Sequence, residues 1–339
     1  MKKLFIISNE SIYENNNKYF CDNIDLKSTP EGLGKNFEIA LIARKSNVDR
    51  SFEINLPNIR IFNSIFPFLC AIKKSTESTG AKYLLISISP YTFLAGMFLK
   101  LLGKTPIVYL RSNGHEEYRT ILGVFGPAIY HFMFSIISSF SNLISCRDYI
   151  LKGKPGSIVL PSQIDKDWLS NIKNIEIKNF KLLYVGRLRK EKGIFSFLKM
   201  IKGRNDFFLT IVGSEKNDKN KLDQSNVITL GNESNKNNLI KLYDDHNILV
   251  LPSFTEGHPM VLLEALARMR PVVIFKEINH VIGNKKGIFV SDRNYESFLN
   301  TINHIKNNYQ RIQEEMKQNK LPTHEEFVKK LGDLILNLN

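Results

Sequence analysis

The chain has 339 residues, 43% of them hydrophobic and 24% charged, with a net charge of +14. That length suits two domains of about 150 residues each, and the balance is that of an ordinary globular protein. Cys21, Cys70 and Cys146 are odd in number and far apart, which excludes a metal-ligand spacing and reads as free thiols of a reducing compartment. The basic excess is spread over both halves and attracts polyanions or anionic surfaces, but no zinc-finger spacing or aromatic RNP-type strand accompanies it, so no nucleic-acid partner is expected.

In chain order, MKKLFIIS reads as a first strand rather than a signal peptide, since no small-residue cleavage site follows its short apolar run. Strands are predicted at 4–8, 83–88, 106–111, 143–146 and 157–160, and helices at 35–45, 68–78, 91–102 and 116–140. The stretch 123–146 carries no charge and is long enough to span a bilayer, yet it contains Pro127, His131, Asn142 and several serines. It reads as a buried helix followed by a strand. The aromatic run 92–103 reads as core. LPSQIDKDW (160–168) has the composition of a linker.

The second half alternates strands with helices. Strands fall at 181–186, 207–213, 226–231, 247–253, 271–275 and 287–291, and helices at 194–201 and 259–269. Such alternation predicts a parallel sheet covered on both faces. Residues 323–338 read as a last helix with a Thr-x-x-Glu start. The predicted fold is therefore α/β, with two Rossmann-like doubly wound domains, 1–162 and 163–322, and a final helix, 323–339, packing on the first. Ligands of such folds bind beyond the carboxyl ends of the strands, here in a cleft between the domains.

PSFTEGHPMVLLEALA (252–267) places Glu264 inside an apolar helix, eight residues after Glu256. A buried carboxylate needs a partner, either a basic side chain of the fold or a ligand. Pro259 suits the start of the helix, whose free N–H groups favour an anion, and carboxylates accept hydrogen bonds from sugar hydroxyls. LLYVGRLRKEKG (182–193) is a strand, a glycine turn at Gly186, and then Arg187, Arg189, Lys190 and Lys192. A basic turn at a strand end can clamp a pyrophosphate, although alone it would read as a solvated loop.

Together, YVGRLRKEKG and LPSFTEGHPMVLLEALARMRPVV resemble the signature of group 1 retaining glycosyltransferases, which have the GT-B architecture of two Rossmann domains. Residues 181–275 carry the resemblance, including IVGSE (211–215), and Glu256 and Glu264 match the family's Glu-x7-Glu element. The resemblance implies that Arg187 and Lys192 hold the donor diphosphate, that Glu256 contacts the donor sugar and that Glu264 binds the ribose. Gly186, Gly213, Gly257, His258 and Pro259 complete the donor side, with His258 shaping the loop. The first half matches loosely. STPEGLGKNFEIALIA (28–43) resembles the N-terminal glycine loop, so Gly32 and Gly34 are expected to approach the phosphate or acceptor. Where many members carry an active-site histidine, this chain reads LRSNGHEEYR, and either His115 or Arg111 is assigned that place.

The expected activity is transfer of a sugar from a nucleotide-diphosphate donor to a hydroxyl of a glycan or lipid-linked acceptor, without metal or other cofactor. A peripheral contact with an anionic membrane surface is expected from the basic charge and the apolar first-domain segments. Lys-, Asn- and Ile-rich usage points to a bacterial setting in cell-surface polysaccharide synthesis, with a cytoplasmic enzyme. Rival readings are an epimerase-like nucleotide-sugar enzyme and a polyanion-binding homologue. Asp165-x-Asp167 is read as linker rather than metal site, and Asp244-Asp245 as a solvated helix end. Base, sugar, linkage and oligomeric state are not encoded in any motif.

Overall fold

The computed structural model describes residues 1–174, 180–204, 206–214 and 225–338. Glu215 of the predicted IVGSE run lies outside them. The chain divides into two units, Met1–Pro161 with His324–Asn339, and Ser162–Thr323.

The first unit contains β1 (Lys2–Asn15), β2 (Lys18–Cys21), α1 (Ile24–Leu33), β3 (Phe37–Ser46), β4 (Phe52–Ile54), β5 (Ile59–Phe62), α2 (Ile65–Ser75), β6 (Lys82–Ile86), α3 (Pro90–Leu101), β7 (Ile107–Leu110), α4 (Gly114–Leu122), α5 (Gly126–Ser138), β8 (Asn142–Ser145) and β9 (Ser157–Ile158). The second contains α6 (Lys166–Leu169), β10 (Lys181–Val185), α7 (Ile194–Met200), β11 (Phe208–Ser214), β12 (Val227–Gly231), α8 (Lys236–Asp244), β13 (Ile248–Leu251), α9 (Met260–Ala267), β14 (Val272–Phe275), β15 (Ile288–Ser291), α10 (Tyr295–Asn307) and α11 (Tyr309–Met316). The last helix, α12 (His324–Asn337), returns to the first unit.

The first sheet follows the period-2 rule. Leu4 and Ile6 of β1 face a core closed by α1 and α12 through Leu26, Leu33, Leu331 and Ile335. Phe5 and Ile7 face the opposite core, closed by α2, α3 and α5 through Phe68, Ile72, Leu99 and Met133. Its main strands are parallel, but β2 and β4 pair antiparallel beyond a register shift in β1 between Ile7 and Ser11. The second sheet is wholly parallel, in the order β12-β11-β10-β13-β14-β15.

Four expectations need correction. Residues 35–45 are not a helix but β3, whose Phe37, Ile39 and Leu41 face one core while Ala40 and Ile42 face the other. A strand buried on both faces is a continuous apolar run, which periodicity alone cannot distinguish from a buried helix. Gly32 and Gly34 do not form a phosphate loop. Gly32 lies inside α1, where a Cβ would come within 2.7 Å of Val328 on α12, and Gly34 caps the helix. The stretch 123–146 is not simply a buried helix, because much of α5 faces outward before β8 begins.

The last correction is Asp244, which is buried rather than solvated. Arg268 binds it through Nε at 2.9 Å and Nη2 at 2.8 Å, and Arg270 lies 3.6 Å away. Arg268 also donates to the carbonyls of Trp168, Ser170 and Asn171. One guanidinium thus ties the segment after α6 to α8 and α9. Removing one partner of such a buried pair typically costs about 3–5 kcal/mol. Asp244→Ala should lose that much in denaturant unfolding, and a loss below about 1 kcal/mol would show the pair to be dispensable.

Candidate active site

In the second unit the predicted residues come together at the carboxyl ends of β10, β11 and β13. Gly186 (φ 154°) and Gly213 (φ 108°) lie backbone against backbone, and a Cβ on Gly213 would come within 2.5 Å of the Gly186 carbonyl oxygen. The chain then turns through Arg187, which is exposed, and its carbonyl accepts from the Tyr184 hydroxyl at 2.9 Å. At Gly193 (φ 66°) a Cβ would be only 1.8 Å from the Pro252 carbonyl oxygen. Only glycine permits this contact, which lays the basic turn directly on the loop after β13.

That contact places Lys192 Nζ 2.7 Å from Glu256 Oε1. The same oxygen accepts from Ser253 Oγ at 2.7 Å. The Glu256 backbone carbonyl lies 2.7 Å from His280 Nε2, and Phe254 N–H donates to the Glu191 carbonyl at 2.9 Å. Arg293 closes the loop from the other side. Its Nη2 donates to Pro252 O at 2.9 Å, its Nε binds Glu277 at 2.7 Å, and its guanidinium lies 4.1 Å from the Phe254 ring and 4.5 Å from that of Phe275. Ser253, His280 and Arg293 were absent from the sequence reading. Ser253 lies inside the quoted 252–267 stretch without being singled out there, and His280 and Arg293 lie well beyond it in sequence, so the fold reveals their part.

After buried Gly257, then His258, Pro259 is the N-cap of α9 with no side-chain cap hydrogen bond, so the first N–H groups of this helix have no side-chain acceptor at the cap. Glu264 lies on the helix at 7% exposure and accepts from the Tyr243 hydroxyl at 2.8 Å. Among the described residues no Lys or Arg pairs with it, since Arg268 is turned to Asp244. Burial, only partly offset by the Tyr243 hydrogen bond, pushes its carboxyl up to about 7.

In the first unit, Arg111 follows β7 and forms an ion pair with Asp25 on α1, and burial lowers its pKa. His115, in the first turn of α4, lies 3.3 Å from His131 Nδ1 and 4.7 Å from the Tyr130 ring centroid, and burial lowers its pKa too. Arg111 is thus engaged as a structural partner. Asp165 and Asp167, in the second unit, both meet the Lys236 ammonium.

Residues 165–321 match the family model described as group 1 glycosyl transferases. This region is similar to group 1 glycosyl transferases. No curated protein matches the sequence significantly. The whole fold is GT-B, similar to sucrose-phosphate synthase from Thermosynechococcus elongatus (TM-score 0.70, 16% identity, 98% of both chains). It is likewise similar to Anabaena Alr3699/HepE in complex with UDP and glucose (TM-score 0.71, 11% identity, 100% of both chains). WaaG, a glycosyltransferase involved in lipopolysaccharide biosynthesis, matches with a TM-score of 0.68 at 13% identity over 98% of this chain and 100% of that one. Within the matched region lie Arg187, Lys192, Glu256 and Glu264.

Glu264 has a measurable signature. Its folded pKa of about 7 lies above its unfolded value, so between the two the native state holds more protons than the unfolded chain. Stability therefore falls as pH rises from about 4.5 through 7, by roughly 3 kcal/mol in all at 1.36 kcal/mol per unit. Unfolding at pH 5 and pH 8 should show this fall in wild type and not in Glu264→Gln. Parallel pH profiles for the two proteins would contradict the shift.

Proposed function

We propose that the protein is a retaining glycosyltransferase that moves a sugar from a nucleoside-diphosphate donor to a hydroxyl of a glycan or lipid-linked acceptor. The observation that carries this reading is the Lys192–Glu256 pair, with Lys192 on the same basic turn as the exposed Arg187. Breaking a bond to a diphosphate requires stabilisation of charge on the departing oxygen, and preorganised cations supply it. Arg187 and Lys192 take that role, with the uncapped start of α9 adding its N–H groups. This positive charge makes a metal-independent reaction sufficient.

Glu256 binds the donor sugar and is not a covalent nucleophile. Its Oε1 already accepts from both Lys192 and Ser253, which holds the carboxylate in place and weakens it as an attacking group. Glu264, buried with only a tyrosine hydroxyl beside it, accepts from the ribose hydroxyls. In the first unit His115 is the active-site candidate. The setting proposed is cell-surface glycan or glycolipid synthesis in a bacterial cytoplasm, with the enzyme on the inner face of an anionic membrane.

A thermal-shift panel of UDP-, GDP-, ADP- and TDP-sugars tests the donor class. A ligand at 100 times its Kd stabilises the fold by about 2.7 kcal/mol. A shift with one nucleotide, lost in Glu264→Ala, supports the ribose role, and no shift with any of them rejects the reading. With the donor in hand, Glu256→Gln and Lys192→Ala should each lower transfer at least tenfold, a loss of about 1.4 kcal/mol or more in transition-state binding, while the melting temperature holds. Wild-type rates in both would refute the assignment. Product analysis separates transfer from epimerisation.

A further inference from the structure

The Glu264 carboxylate is held from behind by a residue with no exposed surface. Tyr243 of α8 is fully buried, and its hydroxyl donates to Glu264 Oε2 at 2.8 Å. The Val261 carbonyl, one turn earlier on α9, lies farther off at 3.4 Å. A hydroxyl has a single proton to give, and the nearer carboxylate oxygen takes it. The tyrosine is fixed independently of the glutamate. Trp168 of α6 packs edge-on against its ring with centroids 5.5 Å apart, and Arg270 Nε donates to its backbone carbonyl at 2.9 Å. Packing alone would be satisfied by phenylalanine, and a buried hydroxyl is costly unless it is bonded. The hydroxyl therefore serves the carboxylate.

Among the described residues nothing donates to the other oxygen, Oε1. The charged groups packed around α9 are engaged elsewhere. Asp244 takes Arg268 and Arg270, and Asp165 and Asp167 take Lys236. Orientation of Glu264 thus falls to Tyr243. A glutamate side chain rotates about each of its bonds, and left unheld it would spread over several rotamers. The tyrosine is a constant donor, because burial and then the adjacent carboxylate hold its proton well above the usual phenol range. Its hydrogen bond also favours the ionised form of Glu264 and opposes the upward push of burial.

We propose that Tyr243 is a positioning residue of the nucleotide site, whose hydroxyl anchors Glu264 Oε2 and so presents Oε1 to the ribose hydroxyls of the donor. The inference rests on the ribose role given to Glu264 in the proposed function. Tyr243 touches no ligand and acts through the glutamate. Its test is Tyr243→Phe, which keeps the ring and the Trp168 contact and deletes only the hydroxyl. Dissociation constants of UDP, GDP, ADP and TDP would be measured by calorimetry, from slightly acid to alkaline pH. The proteins compared are wild type, Tyr243→Phe, Glu264→Ala and the double variant. Unfolding of ligand-free wild type and Tyr243→Phe at pH 5 and pH 8 runs beside it.

The nucleotide that wild type binds should bind Tyr243→Phe at least about fivefold more weakly at neutral pH, as a lost hydrogen bond to a charged group implies. The gap should narrow as pH rises, because Glu264 without the hydroxyl ionises later. In the Glu264→Ala background the same substitution should change the constant by less than about twofold, since nothing is left to hold. Without ligand, stability should fall more steeply between pH 5 and pH 8 in Tyr243→Phe, whose folded Glu264 pKa rises further above its unfolded value. A loss of affinity equal at every pH, a loss that persists beside Glu264→Ala, or parallel stability profiles would each overturn the proposal and leave a tyrosine that only packs. Nucleotide binding that Glu264→Ala abolishes and Tyr243→Phe leaves unchanged would reject this inference alone. Indifference of wild type to every nucleotide would reject the ribose role, and with it both this inference and the transferase reading.

Discussion

The charged loops of the second unit depend on a steric constraint at one residue. Gly193 stands where any side chain would collide with the Pro252 carbonyl, and the resulting backbone contact sets the spacing of the two loops that carry charge. Everything electrostatic there follows from that spacing. Lys192 reaches Glu256, Ser253 reaches the same carboxylate oxygen, and the Glu191 carbonyl receives Phe254 N–H. The loop itself is irregular and has few backbone bonds of its own. Arg293 and His280, from later segments, fix it from outside. Precise placement of a short carboxylate on a loop requires such outside bracing.

The second unit was legible in the sequence because its rules are local. Short apolar runs ending in glycine gave β10 to β15 with small boundary errors, and the paired motifs gave the site. The first unit was less legible for physical reasons. β3 is apolar on both faces, so FEIALIARKS has no period to read. Strands β2 and β4 are short and half polar, and they are strands because β1 extends past its shift to pair with β2, which in turn pairs with β4. Gly32 looked like a phosphate-loop glycine, yet its smallness serves the crossing of two helices far apart in sequence.

The two glutamates also separated differently from what spacing alone could say. Glu256 found a cation within the fold, whereas among the described residues Glu264 found only the Tyr243 hydroxyl. The basic side chains that could have met Glu264 are occupied nearby, with Arg268 and Arg270 drawn to Asp244 and to backbone carbonyls. Two arginines and one aspartate thus complete a structural network that leaves the neighbouring carboxylate without a charge partner among the described residues. Sequence spacing records the residues but not this competition.

A carboxyl group poised near neutrality has a consequence for how this site takes up a ligand. Burial pushes the Glu264 carboxyl up to about 7, so it holds its proton more firmly than an exposed carboxylate does. A ligand offering hydroxyl donors binds the ionised form, so occupation of the site expels the proton that the empty site held. Ligand uptake and proton release then become one thermodynamic event. The heat of binding would change with the ionisation enthalpy of the buffer, and the apparent affinity would rise with pH across the neutral range. The burial that makes this glutamate awkward for the empty protein makes it a reporter of the filled one.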